Sequence, residues 1–367
     1  MFRSFVLALT LLAVAEADLS AQTLTQRIDA LQILGGHLPG AYIQNRGAAG
    51  VVWYFSTIGA QSVALDGHHD RQVRAYVNAY LSTATRPGGA INDVHNLTVP
   101  TIEWKLSDSD DSYAAGILSL ASWLSIGRGG DAWFRSHLEQ LKLIATANLV
   151  DAMDPTTNLT LTFNQYDGRF TAPLPVGIYH AGHSQDVATK LTFRKIGQLM
   201  DNCEAYRGLD DFAKRLAAIK DPDAPLYRKA ADTIAKGVLG LFDSTTGAFR
   251  VNTTGEYSPL FYPSRFVQVA PQLFGVPLGA DTEELYAAAW SYLNATKDQW
   301  WNGEIADGSP RGAPLMMLAY AAALRGEREK SRALLAYFEE RLSDPATPPE
   351  FASIAELGWA LHVESRK

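Results

Sequence analysis

From residue 22 onward, the apolar residues of this chain recur at helical spacing almost without a break. Leu24, Ile28, Leu31 and Leu34 open the series behind a Thr23/Gln26 capping box, and Gly35-Gly36 stops it. Further helical runs are expected over 51–66, 70–85, 110–126, 130–152, 196–219, 223–242, 261–274, 281–296, 311–325, 327–342 and 351–364. Roughly twelve helices joined by short turns make about six hairpins, none of which can bury its apolar face alone. Such hairpins either close into a toroid of inner and outer helices or stack into an open superhelix. An open array repeats in sequence, and no strict repeat is visible here. The expected fold is therefore all-α: one closed (α/α)6 toroid over 22–367.

Two interruptions carry strand patterns. Residues 160–166 alternate, Asp167-Gly168 is a turn signal and Arg169-Phe170-Thr171 begins a return strand. A second short hairpin is expected over 247–257, around Gly247-Ala248-Phe249-Arg250-Val251. Decorated loops on a rigid helical frame are where binding surfaces usually sit.

The N-terminus reads as an export signal. Arg3 precedes the apolar run 5–14, and Ala15-Glu16-Ala17 has the small-x-small form of a cleavage site, with Ala21 as an alternative. The expectation is a secreted or periplasmic bacterial protein with residues 1–17 removed. The run is about half the length of a membrane span. The chain's 32 basic against 39 acidic residues give a net charge of −7. That balance excludes a broad phosphate-binding surface, so no nucleic-acid partner is expected. A single cysteine, Cys203, excludes an internal disulfide and a cysteine metal cage. It is read as core packing.

Two acidic clusters stand out. Ser107-Asp108-Ser109-Asp110-Asp111-Ser112-Tyr113 precedes an apolar run. Ser107 and Asp110 suit an N-cap, but three carboxylates in four residues exceed what capping needs. The second cluster is Leu199-Met200-Asp201-Asn202-Cys203-Glu204-Ala205-Tyr206-Arg207-Gly208-Leu209, where Asp201, Glu204 and Gly208 share a helix face. A solvated polar face explains such a pattern too. Gly208, however, costs about 1 kcal/mol in a helix, which points to close approach on that side.

This second segment resembles the helix that bears a catalytic aspartate in the six-hairpin glycosidase superfamily, as in unsaturated glucuronyl hydrolases. There an aspartate is followed a few positions later by an Asn-Leu or Gly-Leu pair; Asp201 with Gly208-Leu209 is similar. The stretch 107–115 is similar to the acidic loop-plus-helix of such toroids. Endoglucanases of the eighth glycoside hydrolase family have a related Asp-x-Asp element, but also need an early glutamate. The matching region here, 45–55, holds no acid.

The resemblance implies glycoside hydrolysis, which needs one protonated and one ionised carboxyl. Asp110 or Asp111, held ionised by a helix N-terminus, would be the base or nucleophile. Asp201, desolvated in a helix interior, would be the general acid, with Glu204 in reserve for either role. Saccharide clefts pair aromatic platforms with hydrogen-bonding groups. Trp104, Asp108, Tyr54, Tyr179, His180, Tyr206 and Trp301 are the candidate binding residues, whereas Trp123, Trp290 and Trp359 read as core. His180 and His183 with Asp186 make a weak metal pattern, and neither metal nor cofactor is expected. The expected partner is a carbohydrate substrate of a monomeric enzyme. Two other readings stay open: a polysaccharide lyase using Tyr179, His180 or Tyr206, and a non-catalytic saccharide-binding scaffold.

Overall fold

A computed structural model describes residues 22–36, 38–66, 70–85, 89, 91–96, 103–107, 109–126, 130–161, 196–255, 260–296, 299–305 and 315–365. In chain order the helices are α1 (Leu24–Asp29), α2 (Trp53–Asp66), α3 (Asp70–Ala79), α4 (Asp110–Leu124), α5 (Gly130–Ser136) and α6 (Leu138–Ala145). There follow α7 (Leu199–Ala218), α8 (Ala224–Gly240), α9 (Ala270–Leu273), α10 (Thr282–Asn294), α11 (Leu315–Leu324), α12 (Arg328–Ser343) and α13 (Ile354–Glu364). Three antiparallel pairs join β1 (Asn92–Asn96) to β2 (Glu103–Leu106), β3 (Met153–Asp154) to β4 (Leu159–Thr160), and β5 (Phe242–Asp243) to β6 (Ala248–Phe249).

Burial sorts the helices into two layers. α4, α11 and α13 are buried on nearly every side, as helices at the centre of a protein must be. α10 buries only the stripe Tyr286, Ala289, Trp290 and Leu293, and α12 only Ser331, Leu334, Leu335 and Phe338. The inner ring runs α2, α4, α7, the turns 261–269 with α9, α11 and α13, and α13 packs back on α2 to close it. Outer helices alternate with these along the chain, and α1 lies against α13. The toroid expected from the helical runs is the fold.

The alternation makes all inner helices start on one face. Each β-hairpin sits between an outer helix and the inner helix that follows, and so lies on that same face.

Some expectations are corrected. The run 130–152 breaks at His137, whose Nδ1 bonds the Trp133 carbonyl at 2.9 Å and closes α5 early. α1 stops at Asp29 because Gln32 bridges to Tyr42 instead, which leaves Leu34 89% exposed. Residues 159–160 pair back with 153–154 rather than forward, while 162–195 lie outside the described residues. The second hairpin spans 242–249, with Phe249 in its return strand. The first hairpin, 92–106, was not expected.

The two later hairpins are built alike. Met153-Asp154-Pro155-Thr156-Thr157-Asn158-Leu159-Thr160 and Phe242-Asp243-Ser244-Thr245-Thr246-Gly247-Ala248-Phe249 share an Asp-x-Thr-Thr turn. In each the Asp Oδ1 accepts the backbone N–H two residues on, at 3.0 and 2.9 Å. Asn158 and Gly247 fill the same left-handed position, at φ 60° and 67°. A carboxamide from the next inner segment then reads the return strand. Asn202 accepts from Thr160 N and donates to Thr160 O, at 2.7 and 3.1 Å; Gln268 does the same for Phe249, both at 2.8 Å.

Glu356 holds the ring at another point. Buried near the start of α13, it accepts Leu315 N at 2.7 Å and Met316 N at 2.9 Å, the first N–H groups of α11. Burial pushes its carboxyl up to about 8, against the pull of those two bonds. Glu356→Ala is expected to destabilise the protein by about 2 kcal/mol, since two buried donors lose their acceptor. Urea unfolding of the variant checks this; a midpoint equal to wild type would assign those N–H groups another partner.

Candidate active site

Three inner helices bring polar side chains together where they begin. Asp93 on β1 is fully buried between two of them, accepting Trp53 N of α2 at 3.0 Å and the Tyr113 hydroxyl of α4 at 2.8 Å. It fixes the start of α2 beside α4, and with it Tyr54. The Tyr54 hydroxyl donates to Glu204 Oε1 of α7 at 2.8 Å.

The acids of α4 and α7 meet through Ser109. Its Oγ lies 2.6 Å from Asp111 Oδ1 and 2.8 Å from Asp201 Oδ2. A serine hydroxyl has one proton and cannot donate to both. The arrangement is satisfied when one carboxyl is protonated and donates to Oγ, while Oγ–H donates to the other. Asp111 is the natural holder of that proton. It is fully buried, and burial first and the Asp201 charge second push its carboxyl upward. Thr160 Oγ1, 3.2 Å from Asp111 Oδ2, ties it to the Asn202 clamp.

Glu204 is the second acid whose surroundings favour the protonated form. Burial, then the charge of Asp201, raise it to about 8. Oε1 is taken by Tyr54, whereas Oε2 is buried without a hydrogen-bond partner. Ser112 Oγ stands beside this carboxyl, close enough to act on it but outside good hydrogen-bond geometry. Tyr54 is itself raised far above its ordinary range, by burial and by Glu204, and stays a neutral donor.

The environments are the reverse of those expected from the sequence. Asp201 lies in the first turn of α7 and is partly exposed, whereas Asp111 is sealed between α4 and α7. Packing outweighs the helix dipole here, because desolvation of a fully buried carboxylate far exceeds the dipole's 0.3–1 kcal/mol or so. Asp110 is also fully buried, with Ser107 Oγ donating to its Oδ1 at 2.6 Å, and Ser109 rather than Ser107 is the N-cap of α4.

Other expected residues are dispersed. Tyr206 packs on the far side of α7 beneath the Arg228 guanidinium, 5.7 Å from its ring, because two residues from Glu204 is more than half a turn. That removes it from the binding set and from the lyase reading. Trp301 packs on Trp300 and beneath Lys330 of the outer helix α12. The side chain of Trp104 on β2, and residues Asp108, Tyr179, His180, His183 and Asp186, lie outside the described residues. Trp123 is a correction in the other direction: it lines a central cavity instead of the core, whereas Trp359 is a core residue that also lines that cavity. Sequence reasoning missed Asp93, Ser109, Thr160 and Asn202; the repeated Asp-x-Thr-Thr turn was the available signal for the last two.

Among the described residues no group of three His, Cys, Asp or Glu side chains could hold a metal, and no helix is long and apolar enough to cross a membrane. No protein-family model matches the sequence, and no curated protein matches it. Solved structures do match. A GH63 mannosylglycerate hydrolase from Thermus thermophilus, in complex with glucose, aligns over 94% of this chain and 99% of its own, at TM-score 0.60 and 12% identity. The fold is that of the six-hairpin glycosidases. A further glycosidase aligns over 95% of each chain at TM-score 0.60 and 11% identity. A rhamnosidase from Klebsiella oxytoca with rhamnose bound covers 88% of this chain and 66% of its own, at TM-score 0.51 and 10% identity. In this six-hairpin toroid the gathered acids stand at the starts of α4 and α7, on the face that carries the hairpins.

Proposed function

We propose that the protein is an exported glycoside hydrolase, with Glu204 as general acid and Asp201 as its ionised partner. The observation that carries this is the Glu204 carboxyl. It is buried and raised to about 8, with one oxygen held by Tyr54 and the other without a partner. A neutral carboxyl with a proton on the unheld oxygen is what a glycosidic oxygen needs as its bond to the anomeric carbon breaks. Asp201, the most exposed of the three acids, carries the negative charge at least cost. It takes the proton of the attacking water or attacks the anomeric carbon itself. Asp111 and Ser109 orient Asp201 and keep a proton beside it. A scaffold without chemistry would leave these acids apart, and they are not.

The fold supports the substrate class, since the solved proteins that share it include a mannosylglycerate hydrolase and a rhamnosidase. Carbohydrate is the partner this reading names. A panel of oligo- and polysaccharides, read by release of reducing ends, tests the reading with wild type and Asp201→Asn. One substrate class should be cleaved by wild type, and about 10²–10⁴-fold more slowly by the variant. Equal rates, in a variant with wild-type circular dichroism, would discard Asp201 as the partner.

A further inference from the structure

Beneath the acids the axis of the toroid is hollow. The face of α4 that looks inward is Ser112, Ala115, Gly116 and Ser119, all small, and the space they leave is a cavity of about 120 Å³. A water needs about 10–15 Å³ on the same measure, so several fit. Glu204 and Ser112 close its inner end. From there it runs along α4 to Trp123, about 18 Å from Asp111 at 1.5 Å per residue. Burial is graded along that path: Ser112 and Ser119 are buried, Trp123 is half-buried, and the Arg207 side chain is 40% exposed. The lining runs from Tyr54 and Ser112 at the starts of the inner helices to Trp123 and His362 toward their ends.

Its walls are unlike an ordinary void. Tyr320, Trp359 and His362 form a group of rings with centroids 5.3–5.5 Å apart. Trp359 is 8% exposed, and its indole Nε1 is buried with no partner. Ser112 Oγ and Glu204 Oε2, at the inner end, are buried without well-aligned partners as well. Three such polar atoms on residues lining one cavity leave donors and an acceptor for an occupant to meet. Charge is balanced at the mouth. Arg207 Nε and Trp123 Nε1 both donate to Asp211 Oδ2, at 2.7 and 3.0 Å, and the guanidinium lies 5.5 Å from the Trp123 ring. Aromatic planes beside hydrogen-bonding atoms, with the Arg207 charge paired to Asp211, suit a neutral polyhydroxylated ring, with an apolar face and hydroxyls at its edge.

We propose that the axial cavity is a second saccharide site, reached from the face opposite Asp201, that takes a neutral monosaccharide or polyol. Its occupant places a hydroxyl between Ser112 Oγ and Glu204 Oε2 and another on Trp359 Nε1. Because it contacts Glu204 from behind, it also competes for the one oxygen that the proposed hydrolysis uses. The proposal takes its ligand chemistry from the cavity walls and does not depend on hydrolysis.

Isothermal calorimetry with D-glucose and with glycerol tests it on wild type, Asp201→Asn and Ser119→Leu. The leucine of Ser119→Leu projects into the cavity and fills it midway. Millimolar binding to wild type, unchanged in Asp201→Asn and about tenfold or more weaker in Ser119→Leu, is the expected result. Three outcomes overturn it: no binding of either probe, binding indifferent to Ser119→Leu, or binding lost in Asp201→Asn, which would move the ligand to the hairpin face. Should Ser119→Leu not fold, Trp359→Phe replaces it. That variant keeps a ring and removes the unpartnered N–H, so it should weaken binding several-fold; unchanged affinity there counts against the site. Failure of hydrolysis on every saccharide would leave this result untouched.

Discussion

Glu204→Gln is expected to fold as wild type and to lose about 10²–10⁴-fold in kcat on the saccharide that wild type cleaves. The substitution keeps an acceptor for the Tyr54 hydroxyl, which lies 2.8 Å from Oε1, and removes only the proton. The proposed reaction needs that proton, so kcat/KM should fall as pH rises through about 8, the value to which burial and Asp201 raise the group. Asp201→Asn removes the neighbouring charge and should move this limb to lower pH in whatever activity remains. Stability carries the same signature. A carboxyl whose folded value lies above its unfolded one stabilises the fold fully below the unfolded value of 4.5, and that contribution is lost as pH rises to about 8. Glu204→Gln should therefore lose less stability than wild type between pH 5 and 8. Thermal melts across that window, beside the pH–rate profile, measure both. A glutamine variant with wild-type kcat and an unaltered basic limb would assign the acid elsewhere.

Gly208→Ala is the largest effect expected on the fold. A Cβ at Gly208 would lie 2.5 Å from Ala115 Cα and 2.6 Å from its carbonyl oxygen, and these are backbone atoms of α4 that cannot step aside. α4 and α7 must then separate. The cost is about 3 kcal/mol, more than the roughly 1 kcal/mol that alanine returns in helix propensity. Gly116→Ala on α4 is the control. Its nearest neighbour is the Thr57 side-chain methyl at 2.9 Å, which can rotate, so the loss should be smaller. Because Ser109 spans the same two helices, Gly208→Ala should lower activity beyond its loss of folded protein. Guanidinium unfolding of the two variants, with activity scaled to the folded fraction, separates these effects. Equal stability of both would mean that α4 and α7 are not packed this tightly.

The α7 site shows what the chain itself makes legible. Asp201, Glu204 and Gly208 share a face by spacing alone, and the glycine announced a close approach, though not that its neighbour would be Ala115 of α4. Asp110 and Asp111 are indistinguishable as letters. Only the packing of α4 on α7 turns Asp111 toward Asp201 and gives Asp110 to Ser107. The environments of Asp111 and Asp201 are the reverse of those expected for the same reason. Position within a helix is local, whereas burial of a carboxyl is set by which helix lies opposite. Capping suits Ser107 in the sequence, yet the N-cap is Ser109, whose hydroxyl makes no cap bond and lies between two carboxyls. The hollow axis was invisible because Trp123 and Trp359 fall in apolar stripes, where a cavity-lining ring and a core ring have the same spacing.

The paired hairpins bear on how such a scaffold can change. Asn202 and Gln268 grip the main-chain N–H and C=O groups of one return-strand residue each, with Thr160 Oγ1 also on Asn202 Oδ1, and the turn before each grip accepts Asn or Gly at its left-handed corner. Each hairpin is thus held mainly through its main chain, with the Thr160 hydroxyl adding a side-chain tie in the first. Segments leaving Thr160 and Phe249 can be lengthened, shortened or replaced while the ring behind them keeps its register.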